Sequence, residues 1–283
     1  MEQRIFEFTD AQLSAETARD GVLNLILGSD GISLFATNNF GKPLALQTRQ
    51  FLHAGRSFTQ TEADIRRVFG EESLLSLHYS RVRCAFSNGN ATLVPRRMFQ
   101  ADDLPAYFKM LLHAGNYTYG FSPLPELDCV VVYAVEPSLH NLIGQYFPNA
   151  QLTHLAATLL PTYRKQSPTG GTEVFLHLRQ SSMFVTVFDR QNLLFYNAFQ
   201  FKQASDVLYF TLLAFEQFRL DPAETPLTIT GHLLEDSEVY RLLQRFCSRL
   251  RFGLLPDTFQ LPVSAGKLPP HYFFDLYSLQ PAG

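Results

Sequence analysis

The amino-acid sequence predicts an α/β protein built as a duplicate, with residues 1–165 forming one lobe and 166–283 the other, each a mixed sheet flanked by helices. Three observations predict it. Each half opens with three apolar or alternating strands joined by tight turns. Each then continues with helical periodicity alternating with short strands. Between them, residues 166–171 (Gln-Ser-Pro-Thr-Gly-Gly) have the composition of a linker or hinge.

The elements follow in order. In the first half, residues 23–27 form an apolar strand, Gly28-Ser29-Asp30-Gly31 a hairpin turn, and 32–36 the return strand. A second turn at 38–42 leads to a strand at 44–46. A helix is expected over 62–69, strands over 82–86 and 91–94 linked by Asn88-Gly89, and a helix over 103–113 that Asp103 can cap. Residues 128–135 read as a fully buried strand, and Pro137 opens a helix reaching Phe147. The second half repeats the meander with strands at 174–178, 184–188 and 193–201. Ser205 is placed to cap a long helix ended by Asp221-Pro222, whose apolar residues cover nearly every face and predict a sandwiched position. After a strand at 227–230, Asp236 or Ser237 opens a helix carrying Val239, Leu242, Leu243, Phe246, Cys247 and Leu250 at helical spacing. His271-Tyr272-Phe273-Phe274 reads as core.

Composition narrows the class. The chain has 283 residues, 46% hydrophobic and 17% charged, with 23 basic against 26 acidic side chains for a net charge of −3. A chain of this length buries a core without help from disulfides or metals, and its texture excludes disorder and a charged tail. Residues 1–20 are polar with no apolar signal region, and the longest apolar run, 129–135, falls well short of the ~20 residues that span a bilayer. Cys84, Cys129 and Cys247 are odd in number and set among apolar neighbours, as buried free thiols in a reducing compartment are. A cytoplasmic protein with no membrane association is expected.

Chemistry-naming motifs are missing. No G-x-G-x-x-G follows a strand, and G-x-x-x-x-G-K-[ST], H-E-x-x-H and G-x-S-x-G do not occur. The eight histidines include no i,i+4 pair, so no metal site is expected. The acid pairs Glu71-Glu72 and Asp102-Asp103 suit capping or solvation better than acid–base work. Thr169-Gly170-Gly171-Thr172 looks like a phosphate loop but precedes its strand, and reads as a hinge.

Two halves of this order, with Leu25-Ile26-Leu27-Gly28-Ser29-Asp30-Gly31-Ile32-Ser33 opening the first and Leu176-His177-Leu178-Arg179-Gln180-Ser181-Ser182 in the second, resemble the actin / sugar-kinase / heat-shock-chaperone superfold. More narrowly, the chain resembles an uncharacterised family, mostly from Bacteroidota, with an actin-like ATPase fold (domain-of-unknown-function family 3822). The resemblance implies a duplicated ribonuclease-H-like, actin-like two-lobe fold with nucleotide held between the lobes by two phosphate hairpins and a strand leading to a Gly-Gly bend. It also implies an acid at the end of the first strand, as in D-x-G-[ST], to hold Mg²⁺. Here that place falls on Ile26. Asp30 lies on the turn, where it repels phosphate and reads as part of a plain hairpin. The second hairpin lacks both acid and glycine, Thr230-Gly231 keeps one glycine of the pair, and Glu235, Asp236 and Glu238 crowd the next helix start, opposing a polyphosphate.

The expectation is therefore a pseudoenzyme: a non-catalytic actin-like scaffold or protein-interaction module with no catalytic residue, no metal and no resident cofactor. The alternative is ATP, another nucleotide or another anion bound with little or no turnover by Gly28, Ser29, Asp30, Arg179, Ser181, Ser182, Thr230 and Gly231. A protein partner has two candidate contact sets: Tyr117, Tyr119 and Phe121 on a Gly- and Pro-bounded loop, and Arg241, Arg245 and Arg249 stepping by four along the last periodic helix. A third reading is RNA binding through the arginine-rich stretch 49–97 (Arg49, Arg56, Arg66, Arg67, Arg81, Arg83, Arg96, Arg97), which the acidic overall balance disfavours.

Overall fold

A computed structural model describes residues 2–51, 58–111 and 115–280. The chain opens with β1 (Glu2–Thr9) and the short α1 (Ala15–Arg19), capped by Ser14, and then forms the first meander, β2 (Val22–Gly28), β3 (Gly31–Thr37) and β4 (Pro43–Phe51). Helix α2 (Phe58–Glu71) crosses to β5 (Arg81–Ser87), which pairs parallel with β2. Strands β6 (Ala91–Pro95), β7 (Thr118–Leu124) and β8 (Cys129–Val135) make a separate antiparallel sheet centred on β8. Helix α3 (Pro137–Tyr146) and β9 (Gln151–His154) return to the first sheet, and α4 (Leu155–Gln166) closes the half.

The second half repeats the plan. Strands β10 (Thr172–Leu178), β11 (Ser182–Asp189) and β12 (Asn192–Gln200) form the meander, and α5 (Ala204–Gln217) crosses to β13 (Leu227–Gly231), parallel to β10. Helix α6 (Glu238–Phe246), β14 (Leu250–Phe252) and the terminal α7 (Phe274–Ser278) complete it. Strand orders are β1-β4-β3-β2-β5-β9 and β12-β11-β10-β13-β14. Apart from the added edge strand β1 the two orders are the same, so the fold is the duplicated actin-like two-lobe architecture, with the β6-β8-β7 sheet inserted between β5 and β9.

Alternation along the strands divides the core. Leu23, Leu25 and Leu27 of β2 face α2 and α3, and Val174, Leu176 and Leu178 of β10 belong to the cluster that holds Val207 and Phe215 of α5 and Leu243 of α6. The opposite faces look toward each other. Ile26, Phe35 and Ala85 of the first sheet and Phe175, Phe184 and Phe188 of the second share one hydrophobic cluster with Leu155, Leu159, Leu160 and Tyr163 of α4 and with Phe273, Phe274 and Leu276 near the C-terminus. Helices α4 and α7 thus fill the space between the sheets, with Tyr163 stacked on Phe175 and on Phe274.

Several local expectations change. Asn88-Gly89 does not make a hairpin, because β5 and β6 belong to different sheets; the Asn88 amide instead donates to the Ala134 carbonyl at 3.1 Å. The helix expected over 103–113 is a 3₁₀ segment (Ala101–Phe108), broken at Asp103 and carrying Pro105, and His113 lies outside the described residues. Helix α5 is capped from Asp206, whose Oδ2 accepts from the amides of Lys202 and Gln203, and not by Ser205. Tyr209 (61% exposed) and Leu213 face solvent, so α5 is not sandwiched on every side. Ser237 does cap α6, accepting from Tyr240 N at 3.2 Å, but Phe246 is exposed and Leu250 has passed into β14. Described helices and strands that the sequence reading did not assign as such are β1, α1, β7, β9, α4, β14 and α7.

Candidate interlobe site

The two hairpins meet. Gly28 ends β2, and a Cβ added there would lie 2.5 Å from Asp30 Oδ1, so the glycine leaves room for the Asp30 side chain to fold back over its own turn. Asp30 is 4% exposed and is bonded to the second hairpin. Its Oδ1 accepts from Arg179 Nε at 3.4 Å, and its Oδ2 accepts from Ser181 N at 3.4 Å and Ser182 Oγ at 3.1 Å. The expectation of a plain turn is therefore corrected: the carboxylate occupies the donor-rich mouth of the β10–β11 hairpin. Ser29 lies exposed beside it.

Arg179 is held from its other side as well. Its Nη1 donates to Asp275 Oδ2 at 2.5 Å, and both side chains are 1% exposed. Asp275 Oδ1 accepts from Leu276 N at 2.8 Å, at the start of α7. Burial disfavours the Arg179 cation, but Asp30 and Asp275 outweigh it and hold its pKa above the ordinary value. Burial raises the Asp275 pKa, with Arg179 opposing the rise. One guanidinium thus links β2–β3 of the first lobe, β10–β11 of the second and the terminal helix between them.

Around this ion cluster sits a neutral shell. Thr230 Oγ1 meets Tyr163 OH at 2.7 Å and His177 Nδ1 at 3.0 Å. Burial, reinforced by Arg179, pushes the His177 and His232 pKa values well down, leaving both rings uncharged. His232 stacks on Tyr272 with ring centres 4.4 Å apart. Gly231 has φ +85°, and a Cβ there would come 2.2 Å from the Leu178 carbonyl oxygen, which already accepts from His232 N. Ile26 is fully buried in the shared core. Beyond Arg179 and Gln180, toward His232, Ser237 and Tyr272, a cavity of about 350 Å³ remains. Among the described residues there is no group of three or more His, Cys, Asp or Glu side chains able to hold a metal.

Residues 10–250 match the family described as Protein of unknown function (DUF3822). The chain belongs to this family. The DUF3822 chain is also similar to solved structures. One is a Bacteroides thetaiotaomicron protein with an actin-like ATPase fold and unknown function (18% identity, TM-score 0.78, covering 95% of this chain and 98% of that one). Another is a PilM-PilN type IV pilus biogenesis complex (14% identity, TM-score 0.53, covering 92% and 99%). These likenesses establish the fold. No curated protein matches the sequence.

The other candidates of this DUF3822 chain are scattered. Tyr117 and Tyr119 pack, half-buried, on the cluster holding Phe108, and Phe121, 41% exposed, lies 4.9 Å from Phe99; the expected loop is largely strand β7. Arg241 and Arg245 are exposed on α6, whereas Arg249 lies beyond its end and pairs with Glu224. The arginine-rich stretch is no continuous surface. Arg49 is buried against Glu72, Arg83 is half-buried and donates to Asn24, Arg66 and Arg67 pair with Glu62 and Asp64, and Arg56 lies outside the described residues. No described helix is long and apolar enough to cross a membrane. Cys84, Cys129 and Cys247 are buried and free.

Sequence reasoning missed Asp275. The available signal was an acid inside the apolar run Phe273-Phe274-Asp275-Leu276, since a buried charge requires a partner.

Proposed function

We propose that this chain is a non-catalytic actin-like scaffold or protein-interaction module whose interlobe cleft is closed by its own side chains. One observation carries the proposal: Asp30 lies in the hydrogen-bond donors of the β10–β11 hairpin, the place an anion would take, and is joined through Arg179 to Asp275. A triphosphate entering there must displace two carboxylates from buried partners and meet their charge. The residues do not fit a magnesium nucleotide, because the metal-facing strand position is the buried Ile26 and Thr230 is already engaged by Tyr163 and His177. The PilM-PilN complex, similar in fold, is an assembly with a partner protein, which agrees with an interaction role.

Titration calorimetry with Mg-ATP, together with a phosphate-release assay, tests the proposal. No saturable heat and no turnover are expected; micromolar binding with hydrolysis overturns it. The cavity of about 350 Å³ beside Gln180 and Ser237 supports a second reading, ligand binding without turnover, which saturable heat without phosphate release would favour.

A further inference from the structure

A second cavity, about 670 Å³, lies away from the ion cluster on the edge of the second lobe, bounded by the end of α4, the β14 strand and the loop that follows it. Its size is that of a small-molecule site. Phe252, Leu254, Leu255, Pro256 and Tyr277 supply apolar walls, and Glu173 lies with Thr228 and Arg251 on the polar side. The walls are fixed: Tyr277 packs edge-on against both Phe259 and Phe274, and Phe252 stacks on His271 at 3.8 Å. Gly253 keeps the loop close to the sheet, since a Cβ there would come 2.4 Å from Thr230 Cγ2.

Glu173 is the unusual residue. Its side chain is 1% exposed, and its Oε1 accepts from Thr228 Oγ1 and, at 2.6 Å, from Arg251 Nη2. Its Oε2 is buried and has no hydrogen-bond partner among the described residues. A desolvated carboxylate oxygen without a donor is costly. Arg251 is 53% exposed and pairs with Glu173 from the solvent side, so its side chain can swing aside without unpacking the core. Glu173 and Asp257 against Arg251 leave the lining net negative.

We propose that this cavity binds a small organic cation, an ammonium group on a flat apolar body, with the ammonium donating to Glu173 Oε2 and the body lying against Tyr277 and the edge of Phe252, whose two faces are taken by His271 and Tyr240. The site is independent of the interlobe cluster. Tryptamine is the probe, with the uncharged isostere tryptophol and the anionic indole-3-propionate as controls, titrated against the full chain by calorimetry. Tryptamine is expected to bind saturably and roughly tenfold more tightly than tryptophol, the difference that one charge-assisted hydrogen bond makes. Glu173→Gln should abolish that preference. Because this variant removes a buried charge from a paired Arg251 and can lose stability, Arg251→Met is the companion: it keeps the carboxylate, leaves Oε1 with Thr228 Oγ1 as its one remaining donor and should tighten tryptamine several-fold. Equal affinity for tryptamine and tryptophol, tighter binding of indole-3-propionate, no saturable binding of tryptamine, or weaker tryptamine binding by Arg251→Met overturns the proposal.

Discussion

At the scale of single residues, the molecule turns on Arg179. Two carboxylates share its charge in a site closed to water, so removing the guanidinium leaves Asp30 and Asp275 buried without a counter-ion. Arg179→Met should lower unfolding free energy by about 3–5 kcal/mol, measured by urea denaturation, whereas combining it with Asp30→Asn and Asp275→Asn should recover much of the loss. If the triple variant is no more stable than the single one, the carboxylates are not what the arginine neutralises. Gly231 makes a second residue-scale claim. Gly231→Ala puts a methyl group against the Leu178 carbonyl at a positive φ, and should cost about 1–3 kcal/mol in the same assay.

Among the elements, the entry to α4 shows how a short segment takes its instructions from distant ones. His154 caps the helix by accepting from Ala156 N at 3.1 Å on Nδ1, while Nε2 donates to the Asn88 carbonyl at 3.0 Å. Burial lowers its pKa from 6.5 to about 4, with the Asn88 carbonyl opposing the fall. In that window the unfolded chain binds a proton that the folded chain refuses, so stability is complete above pH 6.5 and is lost as pH falls toward 4. This single group accounts for about 3 kcal/mol over the whole window. His177 and His232, also depressed, act in the same direction, and Asp275, raised, acts against them. His154→Asn keeps a side-chain acceptor at the cap but cannot titrate. Denaturation at a series of pH values should show a shallower acid slope in this variant; an unchanged slope would remove His154 from the account.

Over the whole molecule, the interlobe space is core. One hydrophobic cluster draws side chains from both sheets, from α4 and from the C-terminal run, and Phe6 of β1 touches Phe273. Lobes that share a core cannot unfold separately. Scanning calorimetry should give one transition with equal calorimetric and van't Hoff enthalpies, and two resolved transitions would contradict the shared core. The same packing opposes the hinge motion that the glycines at 170–171 suggest, since opening the lobes exposes Phe175, Phe184 and Tyr163 together with the ion cluster.

Much of this was legible in the amino-acid sequence because it is local. Period-2 and period-3.6 patterns located both meanders, the buried β8 and the capped α6, and their repetition in two halves implied the duplication, whereas the strand order within each sheet is set by tertiary pairing. Ile26, where the superfold has an acid, could be seen without coordinates. What the pattern could not carry was pairing across distance. Asp30 looked like a turn residue because nothing near it in sequence needs a charge; its partner lies at 179, and the next link at 275. Likewise, whether Asn88-Gly89 joins two strands of one sheet or leads from one sheet to another depends on which edge β6 finds, and β8 supplies that edge. Spacing along the chain determines what each segment is, whereas burial of charge between segments is decided only when the lobes close.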